Sequence, residues 1–450
     1  MRCESLGWVL PAPSVQPVIS ERDAVRRLLN RVGLGPRPGE LDAATAAGFE
    51  ATLAGLTRAN GPDAGAQRTP APDFGPLQPR AGQGVPKDQK RARRRAGLEQ
   101  SAQLGGWWLD RMAAVEQPYP ERMTWFWHGH FATSAHKVKN AQLMYTQNDT
   151  LRRLGRGDFR TLAQAMIVDP AMLVWLDGGG NRVGKPNENL AREFMELFTL
   201  GVGHYTEADV RDSARALTGW RVDYRTGGAT TAPRAHDSGP ETVLGTSGAL
   251  DASGLVDLFV RQPVSREYLA GRVWTRFVSD TRADPATMDR LTAVYGANHD
   301  ITALVAAAVG QPAFRDPASV LVREPVLWLV AALRALRMKP STVPALAQGL
   351  TDLGQVPLAP PNVGGWPAGL PWLTTASALT RMTLGQALAA AGDISPVSSA
   401  VPGARIQATA ALLGLAGFSD RTTAALRPLV GQPAQLVGLA LASPEYAVCT

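Results

Sequence analysis

The 450 residues can bury a large hydrophobic core, and length alone suggests two or three domains. Hydrophobic residues make up 45% and charged residues 19%, as in globular proteins, and no apolar run reaches the roughly 18 residues of a membrane span. The net charge is +7, and +5 of it comes from one run, in which six basic residues from Lys87 to Arg95 are set against Asp88. This run has no interleaved aromatic residues, so it is typical of a solvated segment and nucleic acid is not the expected partner.

The two ends of the chain carry little information about function. Two cysteines, Cys3 and Cys449, are too few for a disulfide framework or a thiolate zinc site. The N-terminus lacks the apolar segment of a secretory signal, so the sequence as written predicts a cytoplasmic protein without an integral membrane segment. We expect residues 1–19 to be an N-terminal extension and residues 446–450 to be a tail.

The first predicted helix begins at Ser20, which can cap it through the backbone of Asp23. A second helix follows Pro38. From about residue 60 to residue 95 the composition changes to Pro, Gly, Gln and Arg without hydrophobic periodicity. This change predicts a flexible basic linker whose charged end is a solvated loop.

An aromatic helix follows Pro120, with three of the six histidines of the chain in or just after it. Glu121, Trp125 and His128 share one face of such a helix, whereas His130 points elsewhere unless the helix unwinds. One hypothesis is a metal site with His128, His130 and Glu121 as ligands of zinc, iron or manganese. The alternative is that these side chains bond to polar groups in the core, because no H-E-x-x-H spacing is present.

The segment after Pro186 concentrates charged and amide side chains on one face of a predicted amphipathic helix. That face is either a solvated surface or the wall of a polar cavity, and helical spacing places on it Glu188, Asn189, Arg192, Glu193 and Glu196. Two glycines, Gly201 and Gly203, end the helix, and Thr206 with Asp209 resembles a capping box for the next one. His204 lies in the short link between the two helices.

These side chains are the candidate site. The predicted catalytic residues, acting as base, ligand or acid, are Glu188, Glu193, Glu196 and His204. The predicted substrate-binding residues are Asn187, Asn189, Arg192, His236 and Asp237, with Arg192 holding an anionic group. The competing interpretation is an ion-pair network in which Arg192 bonds to Glu188 and Glu196.

The pattern changes after Trp220, where residues alternate up to Tyr224 and a Gly-Gly turn follows. We expect a small two-stranded excursion with residues 242–244 as the second strand and His236-Asp237 between the strands. Helical patterns then continue to the end, interrupted by the Gly-rich and Pro-rich stretch at residues 360–367. The predicted fold class is all-α with one small β-hairpin excursion.

Several of these segments together resemble the bacterial family known as domain of unknown function 1800. The resemblance rests on R-M-T-W-F-W-H-G-H-F, D-P-A-M-L-V-W-L-D, P-N-E-N-L-A-R-E-F-M-E-L-F-T-L-G-V-G-H-Y-T-E-A-D-V, A-R-A-L-T-G-W, H-D-S-G-P, P-P-N-V-G-G-W-P and A-S-P-E-Y. It implies one mainly helical domain over residues 20–445, on both sides of the linker, and no established activity. This chain departs from the resemblance at Glu241, where relatives usually have a lysine, so a site at His236-Asp237 could be altered here.

The resemblance also bears on location and partners. Relatives are often exported, and many are encoded beside an uncharacterised family related to sulfatases and phosphatases, which is a possible protein partner. The leading functional hypothesis is an enzyme, namely a hydrolase that acts with or without a divalent metal ion. The alternative is a non-catalytic binding or assembly protein that partners an enzyme, with the same polar residues forming a buried network.

Overall fold

The computed structural model describes residues 18–58, 61–75, 77, 85–343 and 345–449. Of the predicted extension at residues 1–19, only residues 18 and 19 fall within this part of the chain. The first twelve helices are α1 Glu21–Arg31, α2 Glu40–Ala47, α3 Phe49–Thr57, α4 Ala64–Gln67, α5 Lys87–Ala114, α6 Tyr119–His130, α7 Ala135–Val138, α8 Ala141–Leu154, α9 Phe159–Ile167, α10 Pro170–Trp175, α11 Asn189–Glu193 and α12 Glu207–Ala216. The second twelve are α13 Ala252–Arg261, α14 Pro263–Phe277, α15 Pro285–Tyr295, α16 Ile301–Val309, α17 Pro325–Ala335, α18 Leu346–Asp352, α19 Thr375–Ala391, α20 Ser395–Ser398, α21 Arg405–Leu412, α22 Asp420–Leu426, α23 Pro433–Leu441 and α24 Pro444–Ala447.

Within the described ranges the β structure consists of short antiparallel pairs, which confirms the mainly helical fold class. The strands are β1 Trp220–Asp223, β2 Gly228–Thr231, β3 Glu241–Val243, β4 Thr246–Gly248, β5 Leu321–Val322 and β6 Val448–Cys449. Strand β1 pairs with β2, and β3 pairs with β4, so residues 242–244 are not the partner of β1. The predicted pairing was wrong because β1 and β3 are each followed by a short turn that leads into a neighbouring strand, so each forms a local hairpin.

The region of the predicted linker is described at residues 61–75, 77 and 85–95. Ser20 caps α1 as expected, with its side chain accepting from the backbone N–H of Asp23. The short helix α4 lies inside the linker region, and the basic run from Lys87 to Arg95 forms the first turns of the 28-residue helix α5. The C-terminal half of α5 is anchored in the core by Trp108 and Met112, both fully buried, and lysine, arginine and glutamine favour extending that helix outward.

Two hydrophobic cores are assembled, and α6 contributes to both. Met123, Phe126 and Trp127 pack into one core with helices α1 and α9 to α16, while Trp125 packs into the other with α5 and the C-terminal helices. Helix α6 therefore lies between two apolar regions and carries its histidines into them. No helix in the described ranges combines the length and hydrophobicity needed to cross a bilayer.

Candidate functional site

Glu121 on α6 is a fully enclosed ion-pair centre. Its carboxylate accepts from Arg111 Nε at 2.6 Å, from Arg152 Nε at 2.5 Å and from Trp108 Nε1 at 2.9 Å. Burial raises the pKa of Glu121, but Arg152 and Arg111 outweigh that effect and hold it below the ordinary value. The carboxylate is thus ionised, saturated with donors and inaccessible to a metal or substrate.

His128 also has a structural partner. Its Nε2 accepts from the backbone N–H of Leu358 at 3.1 Å, which fixes the neutral tautomer with the proton on Nδ1. The ring is surrounded by Trp108, Trp125 and Trp366, with ring centroids 5.3 to 6.1 Å away. Burial lowers the pKa of His128 to about 3, so the imidazole stays uncharged.

His130 points into the other core, among Phe126, Phe131 and Phe198. Its Nε2 donates to the carbonyl oxygen of Phe198 at 2.9 Å. Burial is the main cause that lowers the pKa of His130 to about 3. Helix α6 stays regular through this residue, so His128 and His130 project from different sides, as the helical spacing requires.

The three predicted metal ligands do not converge on one point. Glu121 is held by arginines, His128 by a backbone N–H and His130 by a backbone carbonyl. Across the described part of the chain, no group of three or more His, Cys, Asp or Glu side chains is arranged to hold a metal ion. Each of the three side chains is bonded to a group of the protein, and the zinc, iron or manganese site stays a prediction.

The central helix is shorter than predicted and changes its geometry. The α-helical part is Asn189–Glu193, with Glu188 at its N-cap, and it continues as a π-helical segment, Phe194–Thr199. The backbone N–H of Leu200 donates to Met195 O at 2.8 Å, five residues back. A π turn needs more residues per turn than an α turn, and such turns are often found at functional sites.

Side chains from other helices satisfy the carbonyls of the π segment. The hydroxyl of Tyr268 on α14 donates to Leu197 O at 2.7 Å, and His130 donates to Phe198 O. Both contacts come from residues far away in sequence. The buried histidine therefore supports the irregular backbone next to the candidate site and is not part of the site itself.

An open cavity of about 530 Å³ lies beside the start of this helix. We call its lining the open face, and its residues are Gly180, Arg182, Lys185, Pro186, Asn187, Glu188, Asn189 and Arg192. Four of the predicted site residues are thus brought together, namely Asn187, Glu188, Asn189 and Arg192. The two amides also stabilise the loop, since Asn187 Oδ1 accepts from the backbone N–H of Asn189 and Asn189 Nδ2 donates to Leu176 O.

Arg192 is already saturated with carboxylates. It donates to Glu207 through both terminal nitrogens, at 2.8 and 2.7 Å, and to Glu188 at 3.0 Å. Hydrogen bonds from Arg192 lower the pKa of Glu207. The predicted pair with Glu196 is replaced by the pair with Glu207, because the π turn changes the angular position of Glu196 relative to Arg192.

Two cations on the open face were not singled out from the sequence. Arg182 and Lys185 are exposed, line the cavity, and have no side-chain partner within the described residues. They flank a tight turn in which the backbone N–H of Lys185 donates to Arg182 O. The only sequence signal for them is two basic residues just before the Pro-Asn-Glu-Asn stretch. They are better placed than Arg192 to receive an anionic group.

Glu193 differs from the other carboxylates of this helix. It is half-buried and has no hydrogen-bond or ion-pair partner among the described residues. Burial and the neighbouring charge of Glu196 raise the pKa of Glu193, and Arg192 lowers it less. Glu196 accepts a short hydrogen bond from the hydroxyl of Tyr205. Two adjacent carboxylates therefore occupy different environments, which is the usual arrangement in acid–base sites.

Comparison with known proteins agrees with the sequence motifs. The sequence model of the family described as "Protein of unknown function (DUF1800)" matches residues 27–448. The chain belongs to this family. No curated protein and no solved structure matches the chain. The matched range includes α6, the open face and the π segment, so the DUF1800 family covers both polar regions.

Five predicted catalytic or substrate-binding residues of this DUF1800 chain are not part of the open-face lining, namely Glu193, Glu196, His204, His236 and Asp237. His204 is exposed and lies near the ring of Tyr268, both beside Gly201. His236 Nδ1 bonds to Thr218 O at 3.1 Å, and Asp237 accepts from Arg215 Nε at 3.0 Å. Hydrogen bonding from Arg215 holds the pKa of Asp237 below its ordinary value.

Glu241, the departure from the DUF1800 pattern, is buried beside this pair. One carboxylate oxygen accepts from the backbone N–H of Leu250 at 3.2 Å, and the other lies 3.9 Å from Arg215. Burial raises the pKa of Glu241. The side chain thus closes the base of the β3–β4 hairpin.

A larger cavity, of about 700 Å³, lies among the C-terminal helices of the DUF1800 domain, between α21 and α22. Its lining includes Ile406, Leu415 and Phe418 with two arginines, and it has no carboxylate or imidazole. It therefore lacks the groups for acid–base chemistry, and the open face is the better candidate despite its smaller volume.

Proposed function

We propose that this protein is a hydrolase that uses carboxylate acid–base chemistry next to the open face, with Glu193 as the proton-exchanging group. Glu193 follows the lining residue Arg192 on the same helix but is not itself part of the lining. The observation that carries the proposal is the environment of Glu193. It is half-buried and unpartnered within the described chain, next to saturated Arg192, and its pKa is raised by burial and by Glu196. A structural carboxylate would have a cation or donor bonded to it, as Glu188 and Glu196 do.

The raised pKa suits the proposed role. A general base works best when its pKa approaches the pH at which it acts, because it is then both deprotonated and basic enough to accept a proton from water. Glu193 would accept that proton as the water attacks, and would return it to the leaving group as the bond breaks. Arg192 stays bonded to Glu188 and Glu207 and positions the helix turn.

The substrate would carry an anionic group. Arg182 and Lys185 supply two uncompensated positive charges at the mouth of the cavity, while Asn187 and Asn189 hold the loop between them and the helix. This assignment replaces Arg192 as the anchor of the substrate. The cavity volume of about 530 Å³ is in the range of small-molecule sites.

A non-catalytic binding or assembly protein is the second candidate. Exposed apolar side chains favour it, since Leu370, Leu373, Leu379 and Met382 are 42 to 74% exposed within thirteen residues of sequence. The partner would be an enzyme, and the neighbouring family related to sulfatases and phosphatases is the partner that the resemblance suggests. In that case Glu193 would have no chemical role.

The test compares wild type with Glu193→Gln on 4-nitrophenyl esters, phosphates and glycosides. We expect turnover of at least one probe by the wild type and a loss of about 10²- to 10⁴-fold in Glu193→Gln, the usual contribution of a general acid or base. The matched control is Glu267→Gln on α14, an exposed glutamate on a different helix from Glu193 and Arg192, and it should keep wild-type turnover. Lys185→Gln should raise KM for anionic probes more than it lowers kcat.

Two results would contradict the proposal. Equal turnover by Glu193→Gln and wild type would remove Glu193 from the chemistry. Absence of turnover for every probe, together with stable complex formation with a protein partner that survives Glu193→Gln, would favour the second candidate.

A further inference from the structure

A small cavity behind α6 is lined by an unusual set of charges. Its volume is about 20 Å³, and its walls come from α6, α14, the start of α17 and the loop at residues 360–367. It is lined by Arg122, Trp125, Phe126, Gly129, Arg272, Arg276, Glu324 and Trp366. Three arginines and one carboxylate therefore line the same cavity.

The single carboxylate is fully used. Glu324 accepts from Arg276 Nη1 at 2.5 Å, from Trp125 Nε1 at 3.0 Å and from Gln355 Nε2 at 2.9 Å. Burial raises the pKa of Glu324, but Arg276 and Trp125 outweigh that effect, so the group stays ionised. Glu324 thus neutralises Arg276 and accepts from neither Arg272 Nε nor Trp366 Nε1.

Two buried N–H donors on this wall have no acceptor among the described residues. They are Nε of Arg272, one turn before Arg276 on α14, and Nε1 of Trp366. Burial lowers the pKa of Arg272 and the like charge of Arg276 lowers it further, whereas Tyr268 and Glu324 raise it. A buried N–H donor without an acceptor is costly, so proteins normally satisfy it. The missing partner is a group with acceptors for both donors.

The loop geometry brings Trp366 into the cavity. Gly365 has a φ of +81°, and a Cβ there would lie 2.2 Å from the carbonyl oxygen of Gly129 on α6. Only glycine allows this approach. Trp366 consequently stacks on Trp125, with ring centroids 5.2 Å apart and an angle of 18° between the planes. The cavity wall is flat on that side.

We propose that this cavity binds the carboxylate group of a small organic acid, with Arg272 and Trp366 as its donors. The space holds roughly one to two water-sized groups, which suits the two oxygens of a planar carboxylate. A second cavity of about 50 Å³ shares Arg122, Arg276 and Glu324 with the first, and its lining includes exposed Asp280 and Ala368. The rest of the acid would occupy that second cavity.

This proposal does not depend on the function proposed for Glu193. The Arg272 cavity and the open face share no lining residue. A Glu193→Gln variant should therefore bind a carboxylate like the wild type. Failure of either proposal would leave the other standing.

The test is thermal unfolding with acetate as the probe, at constant ionic strength and with chloride as the reference. A ligand at about ten times its dissociation constant should raise the midpoint of the wild type by about 1–2 °C for a chain of this size. Arg272→Met should lose the acetate-dependent shift. Without acetate it should be at least as stable as the wild type, because it removes a buried N–H donor that has no acceptor among the described residues.

The matched control is Arg266→Met on the same helix. Arg266 also has a buried Nε without a hydrogen-bond partner in the described chain, but it does not line the cavity. The control should keep the acetate shift, and Trp366→Phe should reduce it. No shift in the wild type up to about 100 mM acetate would overturn the proposal and indicate a water-filled cavity. An equal shift in Arg272→Met, or a shift with phosphate and not acetate, would overturn it as well.

Discussion

The buried part of α6 and the helix α11 beside the open face use the same residue types and differ in how far their hydrogen-bonding capacity is used. Glu121 has three donors bonded to it inside the core, while Glu193 has none within the described chain. Burial acts on both carboxylates and raises the pKa of each, but the arginines reverse the shift only for Glu121. We infer that an accessible carboxylate with unused hydrogen-bonding capacity is the better candidate for a functional group. Charge alone does not distinguish it from a carboxylate in a structural network.

The largest effect is expected for Glu121→Gln. This variant leaves Arg111 and Arg152 beside a neutral group that can accept fewer bonds, so it should lower the free energy of unfolding by about 3–5 kcal/mol. Urea denaturation measures the loss. The control is Glu99→Gln, which breaks an exposed pair with Arg95 on α5 and should cost less than about 0.5 kcal/mol.

A small effect of Glu121→Gln would contradict the structural role of the Glu121 network. A loss of less than about 1 kcal/mol for Glu121→Gln would mean that the enclosed network contributes no more than a surface pair. Glu121 would then have to be reconsidered as a functional group.

The second prediction concerns the buried histidines and pH. His128 and His130 have folded pKa values of about 3, below the ordinary 6.5, so the unfolded chain binds protons more readily between these values. The stability that each contributes is present above about pH 6.5 and is lost as pH falls toward 3, by about 1.4 kcal/mol per pH unit for each histidine. Urea midpoints measured from about pH 7 to pH 5 test this slope.

His128→Gln is the variant that isolates one of the two histidines. The glutamine oxygen can accept the backbone N–H of Leu358 but does not titrate. The slope below about pH 6.5 should then fall by about 1.4 kcal/mol per pH unit relative to the wild type. An unchanged slope would show that His128 is already accessible to protons in the folded state.

Much of the fold followed from local patterns in the sequence. The cap at Ser20, the capping box of Thr206 with Asp209 and the shared face of Trp125 and His128 were all predicted correctly. Each depends on residues within four positions of one another, for which helical geometry is sufficient. The helical fold class was predictable for the same reason.

The errors and omissions came from contacts between distant segments. The partner of Arg192 is Glu207, fifteen residues away, and the π turn that separates Arg192 from Glu196 is supported by Tyr268 and His130. Glu121 is bonded to Arg152, and His128 is bonded to the backbone of Leu358, 230 residues away. Periodicity carries no information on such pairs, so the sequence identified the polar residues without separating the saturated ones from the available ones.

The smallest stability effect is expected for Glu193→Gln, and its sign sharpens the comparison. Because the folded pKa of Glu193 is raised above the ordinary 4.5, its stabilising contribution is present below that value and is lost as pH rises through the folded pKa. Near pH 7 the ionised carboxylate is therefore unfavourable, and glutamine should raise the free energy of unfolding by a few tenths of a kcal/mol, discounted for solvent screening. Urea denaturation at about pH 7 and about pH 4 should show this gain only at the higher pH. A gain in the free energy of unfolding would show that the carboxylate of Glu193 does not stabilise the fold at about pH 7, as expected for a functional group. A loss of stability at both pH values would place Glu193 with Glu121 among the structural groups.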